Sequence, residues 1–258
     1  MDKYALVTGA SKGIGKEIAI QLAEKGYNLL LISRSEKELE DLAQLVKEKY
    51  RVKAFYLSVD LAAEGAAYRV AEWCTEHTSG ITVLVNNAGF GIWGSFEDSK
   101  LPQQMEMIRL NVDAVVGLTH LLLPALKLQS QAYILNVCST AAYQAMPTMA
   151  IYAATKSFVL SYTRALRYEL KDTAVAVTCL SPGPTDTGFA SRAGLDIFAE
   201  LAEKFNMKAS DVAAIGLKGM FKKQAEVIPG FLNKVSAAGA TLLPKRLIEH
   251  VSAGLYKK

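Results

Sequence analysis

With 258 residues, half of them apolar, and a formal charge of only +4, the chain can bury a substantial core, and its interleaved acids and bases exclude a nucleic-acid-binding stripe. Three widely spaced cysteines (Cys74, Cys138, Cys179) and three scattered histidines (His77, His120, His250) exclude a disulfide framework and zinc-type spacing. No secretory leader opens the sequence, and no unbroken apolar run reaches the roughly 20 residues of a membrane span, so a cytoplasmic setting is expected.

In chain order, YALVTG (4–9) reads as a buried strand and GIGKEIAIQLAEKG (13–26) as an amphipathic helix closed by Gly26. YNLLLIS (27–33) is a second strand, and EKELEDLAQLVKEKY (36–50) a helix with charges outward. VKAFYLSVD (52–60) is a strand, EGAAYRVAEWCTEH (64–77) a helix and ITVLVNNAG (81–89) a strand. A long helix runs from about Pro102 to the end of MIRLNVDAVVGLTHLLLPALK at 127, followed by the strand AYILNVCS (132–139). A helix from Ile151 to about Leu170 and the strand AVAVTCLSPG (174–183) complete the regular part. Continuous Val/Ile/Leu runs alternating with helices mark a parallel sheet covered on both faces. The expectation is one α/β domain over 1–258, a Rossmann-like, doubly wound parallel sheet. After SPGPTDTGF the regularity fails. About 190–209 reads as a short mobile helical insertion that lids a substrate, Ser210 and Asp211 open another helix, and about 230–258 forms an apolar, basic-edged C-terminal extension.

VTGASKGIG (7–15) joins the first strand to the first helix. Gly9, Gly13 and Gly15 remove side chains where backbone must turn tightly against a pyrophosphate, and the helix N-terminus aims N–H donors at that anion. The spacing Gly-x-x-x-Gly-x-Gly is one residue longer than Gly-x-Gly-x-x-Gly. An acidic residue at the end of the second strand would hold a ribose 2′-hydroxyl, but LLLISRSEKE carries Arg34 there. An arginine suits a 2′-phosphate, and Lys12 adds a second cation, so NADP(H) is favoured over NAD(H). Asp60 either reads the adenine amino group or caps a turn. In IYAATKSFVL, Tyr152 and Lys156 stand four apart on one helix face. An ammonium held near a phenol favours the phenolate.

These motifs resemble the short-chain dehydrogenase/reductase family over roughly residues 3–189. TGASKGIG (8–15), NNAG (86–89), LNV around Asn111, Ser139, YAATK (152–156) and PGPTDT (182–187) follow in order, with thirteen residues from Ser139 to Tyr152. The resemblance implies a catalytic tetrad of Asn111, Ser139, Tyr152 and Lys156. Tyr152 would exchange the proton with a carbonyl oxygen, and Ser139 would hydrogen-bond that oxygen. Lys156 would lower the Tyr152 pKa and bind the nicotinamide ribose, while Asn111 would hold a water linking Lys156 to solvent.

It also implies cofactor contacts from Gly9, Ser11, Lys12, Gly13, Ile14, Gly15, Arg34, Asp60, Leu61, Asn87, Ala88 and Gly89. Tyr152, Lys156, Pro182, Gly183, Thr185 and Thr187 complete that set, with Asn86 in a structural role. Phe90, Trp93, Tyr143, Met146, Met149 and Phe189 are candidates for an apolar pocket wall. Leu195, Ile197 and Phe198 would add to it from the insertion, and Arg192 is the one cation there that could reach a carboxylate. The implied activity is interconversion of a small hydrophobic carbonyl and its alcohol. A regulator that keeps the fold without turnover is the competing reading.

Many family members end in a short strand and a Gly-rich segment used in tetramers. Here VIPGFLNKVSAAGATLLPKRLIEH follows instead, with Lys234, Lys245, Arg246, Lys257 and Lys258 among apolar residues. It resembles a branch grouped with ketoacyl and steroid reductases. A homo-oligomer, dimer or tetramer, is implied. The tail could cap the pocket, join subunits or lie on a membrane surface; packing on its own domain or a partner subunit is the expectation.

Overall fold

In the computed structural model, which describes residues 2–189, 193–194 and 206–255, each apolar run becomes a parallel strand. These are β1 (Tyr4–Thr8), β2 (Asn28–Ser33), β3 (Ala54–Ser58), β4 (Ile81–Asn86), β5 (Ala132–Val137) and β6 (Val175–Leu180). Two short strands, β7 (Thr185–Asp186) and β8 (Met207–Lys208), pair with each other, and β9 (Glu226–Val227) joins the main sheet. The sheet order is β3-β2-β1-β4-β5-β6-β9, with parallel pairing throughout.

Successive side chains of a strand point to opposite faces, and both faces here need apolar cover. Leu6, Leu30, Leu84 and Ile134 therefore pack on one side with α3 (Ala66–His77), α5 (Ala114–Lys127) and α6 (Ala150–Glu169). Val7, Leu31, Val85 and Leu135 pack on the other with α1 (Gly13–Glu24), α2 (Glu36–Tyr50) and α7 (Ala209–Phe221). Chain order reverses between β1 and β4. That opens a crevice beyond their carboxyl ends, the usual ligand position in such sheets.

The helix expected from Pro102 to 127 is interrupted. α4 (Leu101–Ile108) passes through a π-turn at Arg109–Asp113 before α5 begins. Such turns insert one residue into the ladder and re-aim side chains, often at functional sites. The whole of Leu101–Lys127 is apolar enough, by length and composition, to cross a membrane, but Leu110, Leu118, Leu122 and Leu126 bury its inner face in the core.

Two further expectations need correction. Met207 and Lys208, read as part of a helical insertion, form a strand against Thr185 and Asp186. The chain also does not replace the last short strand with its tail, because Glu226–Val227 pairs with β6 as a seventh strand. Backbone bonds from Cys179 N to the Ala225 carbonyl (3.0 Å) and from Ser181 N to the Val227 carbonyl (2.8 Å) hold it. Two-residue strands are set by the partners they meet, which leaves little local pattern to read.

Helices α8 (Phe231–Leu242) and α9 (Lys245–Leu255) follow. Only the small-residue face of α8, around Ala237, is buried, whereas Phe231, Leu232 and Leu242 stand exposed. The expected packing of the tail on its own domain is thus partial. Lys257 and Lys258, like Arg192, Leu195, Ile197 and Phe198 of the insertion, lie outside the described residues.

Candidate active site

At the β1–β4 crevice the glycine loop is fixed from below. The Thr8 hydroxyl donates to the Val85 carbonyl (3.2 Å) and accepts from Asn87 N and Ala88 N (both 3.0 Å). The Asn87 amide nitrogen donates to the carbonyls of Thr8 (2.9 Å) and Gly9 (3.2 Å). Gly9 and Gly13 take φ values of +64° and +55°, where a side chain is strained. A β-carbon at Gly15 would stand 2.3 Å from the Asn87 amide nitrogen and the Gly9 carbonyl oxygen, so only glycine lets α1 start this close to β4. Lys12 gives α1 no side-chain cap, and no acid lies in the first turn. Its opening donors suit a pyrophosphate.

Ser11 and Ile14 flank this turn half-buried, and the Thr187 side chain lies against Gly13, where a β-carbon would meet it at 2.7 Å. The Thr185 hydroxyl donates to the Gly183 carbonyl (2.9 Å) and the Thr187 hydroxyl to the Thr185 carbonyl (3.3 Å), tightening the loop after Pro182. Asp60 accepts from Ala62 N (3.0 Å), the turn role among its two readings, and Leu61 is buried. These residues form a cradle that fits a dinucleotide.

The four expected catalytic residues come from three separate segments, Tyr152 and Lys156 sharing α6. Asn111 sits in the π-turn and is 1% exposed. Its amide donates to the Phe90 carbonyl (2.9 Å) and the Thr155 hydroxyl (3.1 Å), and its oxygen accepts from Phe90 N (3.1 Å). Both amide protons are therefore engaged, and the side chain anchors the segment after β4. A β-carbon at Gly89 would stand 2.9 Å from the Asn111 oxygen and 3.5 Å from Lys156 Nζ.

Ser139 lies two residues past β5 and accepts from Ala141 N (3.1 Å) as the cap of a short 3₁₀ turn, Thr140–Tyr143. Tyr152 and Lys156 occupy the first turns of α6, both buried, with Nζ 5.8 Å from the Tyr152 ring centre. Nζ donates to the Val137 carbonyl (3.0 Å). Burial pushes the Lys156 amine below its ordinary range, partly offset by the neighbouring Cys138 and Cys179 sulfurs. The lowering is what loss of water around a buried ammonium produces.

Around Tyr152 the wall is apolar. Phe90, Met146 and Met149 are buried in the same cluster, with Trp93 and Phe189 packed against it. The Phe189 ring lies 5.4 Å from that of Tyr152. Gly91, not singled out from the sequence, is the contact point: a β-carbon there would meet Phe189 at 2.9 Å, Tyr152 at 3.1 Å and Met149 at 3.2 Å. The Trp93 N–H donates to the Ala193 carbonyl (2.8 Å), and Gly94 N to the Thr148 carbonyl (2.9 Å), so three loops meet over the tyrosine.

Tyr143, expected in this wall, belongs elsewhere. Its ring packs against the small cluster of Cys138, Ala142, Val159 and Cys179. Its hydroxyl donates to Glu226, which also pairs with Arg164 at 2.7 Å, and lies 3.0 Å from the Ser181 hydroxyl. The physical reason is that a buried phenol needs an acceptor, and the seventh strand supplies one. Burial and the Glu226 carboxylate both push its pKa up. Tyr143→Phe should therefore lower stability by about 1–2 kcal/mol and leave turnover near wild type. A folded variant without turnover, compared by urea unfolding and initial rates, would return Tyr143 to the pocket.

Beneath the site, Asn86 donates to Asn136 (2.8 Å) and Thr119 (3.0 Å), and Asn136 to Thr163 (2.9 Å). This buried ladder ties β4, β5, α5 and α6 together, a structural part for Asn86. Sequence reasoning also missed Thr8, Thr155 and Asn233. The first two lie inside quoted motifs; Asn233 has no local signal.

At the ribose corner, Arg34 lies 3.2 Å from Glu106 and 3.9 Å from Asp60. Lys12 pairs with Glu38 at 2.8 Å, whose carboxyl it holds below the usual range. Each expected phosphate-binding cation thus has a carboxylate beside it. Among the described residues no cluster of three His, Cys, Asp or Glu could hold a metal ion.

Residues 3–197 match the family described as short chain dehydrogenase. A sulfoacetaldehyde reductase of Chromohalobacter salexigens is 34% identical over 221 residues, 83% of this chain and 87% of that protein. A very-long-chain 3-oxoacyl-CoA reductase of Eremothecium gossypii is 39% identical over 176 residues, 65% of this chain and 50% of that protein. Among solved structures, a short-chain dehydrogenase from Sphingobium yanoikuyae in complex with NADPH has a TM-score of 0.82 at 26% identity, covering 95% of this chain and 96% of that one.

Proposed function

The chain belongs to the short chain dehydrogenase family, whose oxidoreductases interconvert carbonyls and alcohols with a nicotinamide cofactor, and from that premise we propose an NADP(H)-dependent reductase of apolar carbonyl compounds. The carrying observation is the buried Tyr152–Lys156 pair under an apolar wall, at the end of a sheet whose switch point holds a dinucleotide cradle. The nicotinamide supplies the hydride when bound.

Everything else falls to the chain. Tyr152 gives its proton to the carbonyl oxygen in reduction and withdraws it in oxidation. The Ser139 hydroxyl holds that oxygen and stabilises its developing charge. Lys156 favours the phenolate and binds the ribose, and the Asn111 side chain fixes Gly89 and Phe90 beside it. Phe90, Met146, Met149 and Phe189 offer a carbonyl substrate apolar surface only, which argues for an apolar substituent.

For the cofactor, the carboxylates beside Arg34 and Lys12 weigh against a 2′-phosphate, but in these pairs the cations are exposed and the acids partly so. Exposed pairs contribute only about 0.2–1 kcal/mol each, whereas charge-assisted bonds to a phosphate contribute about 1.5–3. The phosphate wins the exchange. Arg34→Asp should shift the NADPH/NADH ratio of kcat/KM toward NADH by roughly a hundredfold. Glu38→Gln, which releases Lys12, should tighten NADPH about two- to fivefold. An unchanged ratio in both variants would assign the corner to NAD(H).

A further inference from the structure

The C-terminal helices carry an apolar face that the fold leaves uncovered. At 100° per residue, Phe231, Val235, Ala238 and Leu242 of α8 share one stripe, while Asn233, Ala237 and Ala240 share the opposite one. The second stripe is the one that packs: Ala237 is 4% exposed, whereas Phe231 is 78%, Val235 53% and Leu242 84% exposed. After Pro244, α9 has a second exposed apolar pair, Leu247 and Val251, one turn apart and each half exposed. Singly exposed apolar side chains are ordinary; a stripe along one helix followed by an exposed pair on the next marks a contact surface.

We propose that the α8–α9 face docks on an anionic lipid bilayer. Lys234 flanks the α8 stripe and His250 the α9 pair, Lys245 and Arg246 open α9, and Glu249 is the one acid on these two helices. A basic rim around an apolar stripe complements a negatively charged headgroup layer with acyl chains beneath it. A second copy of the chain is a poorer occupant. A two-fold interface sets a patch against itself, which would bring these bases face to face with only Glu249 to offset them. At 12 and 11 residues, α8 and α9 are too short to span a bilayer and suit one lying flat on it.

The helix that carries this face is itself anchored beside the loop that follows β6. Asn233, on the inner side of α8, fits where a β-carbon on Gly183 would stand, 2.3 Å from its side-chain oxygen. Its amide nitrogen donates to the Pro229 carbonyl (2.7 Å). The inner stripe of α8 thus packs on the loop that follows β6, and the docking stripe lies on the helix's outer side. The docking itself does not depend on the hydride-transfer reading.

The test is co-sedimentation of the full chain with vesicles of phosphatidylcholine alone and of phosphatidylcholine mixed with phosphatidylserine. The variants are Leu242→Glu and the double Lys245→Ala/Arg246→Ala. Both change exposed residues outside the catalytic and cofactor sites, and intrinsic-fluorescence unfolding confirms that each folds. The wild type should pellet with the phosphatidylserine vesicles and be released by salt. Loss of the two charges should weaken partitioning on the order of thirtyfold, and Leu242→Glu should abolish it. Equal, negligible pelleting with both vesicle types overturns the proposal. So does a vesicle-independent dimer, seen by sedimentation velocity, that Leu242→Glu splits, because the face is then an interface between copies.

Discussion

Replacing Tyr152 with phenylalanine should lower turnover by about 10²–10⁴-fold and leave NADPH affinity nearly unchanged. The ring is buried against Phe189 and Gly91, and phenylalanine keeps that packing, so only the proton-exchanging oxygen is lost. Nothing else in the apolar wall can replace it. Tyr143, the next tyrosine along the chain, has its hydroxyl turned to Glu226 and Ser181. Rates and cofactor fluorescence titrations on the same preparation separate the two effects. A variant retaining a substantial share of wild-type turnover would remove Tyr152 from the proton-donor role.

Lys156→Met should abolish turnover and at the same time stabilise the fold. The amine is buried, with its pKa pushed below 10.5 chiefly by loss of water, so keeping it charged opposes folding. Methionine removes that penalty, of about 1–4 kcal/mol by analogy with other buried charges. It leaves the Val137 carbonyl without the amine, at a cost of about 1 kcal/mol or more. A net gain of about 1 kcal/mol is expected.

The pH dependence has a definite sign. Because the folded pKa is the lower one, the unfolded chain binds more protons between that value and 10.5. Wild-type stability from this group therefore rises as pH climbs through that window. The methionine variant should lack the rise. Urea midpoints across that range measure it, and a less stable variant that keeps the wild-type slope contradicts the burial argument.

The regular half of the fold was legible because its patterns are local. EKELEDLAQLVKEKY predicts a helix at 36–50, and α2 occupies those residues, its apolar period undisturbed by tertiary demands. The strands were legible because a sheet buried on both faces needs continuous apolar runs. Features created by contact between distant segments were not. The π-turn at Arg109–Asp113 interrupts a helical pattern that shows no break, since it depends on Asn111 reaching Phe90 and Thr155.

The same limit applies within the site. Four residue types could be matched to family motifs, and the structure brings Tyr152, Lys156 and Asn111 around Gly89 and Gly91. Gly91 itself carries no sequence sign, because any glycine in FGIWGSF serves a turn equally well. Two of the carboxylates beside Lys12 and Arg34, Glu38 and Glu106, come from the neighbouring helices α2 and α4, and the spacing of the cations gave no hint of them. Nor does periodicity say which stripe of α8 faces inward; the small residues do, and the apolar ones remain outside.

The most direct test is transfer of deuterium from NADPH labelled at the nicotinamide C4 to a panel of apolar ketones and aldehydes, with the alcohols read by mass spectrometry. The expected result is label on the carbinol carbon with wild type, more efficiently from NADPH than from NADH, and almost none with Tyr152→Phe. Equal labelling by wild type and Tyr152→Phe, or no labelled alcohol from a chain that binds NADPH, would contradict it.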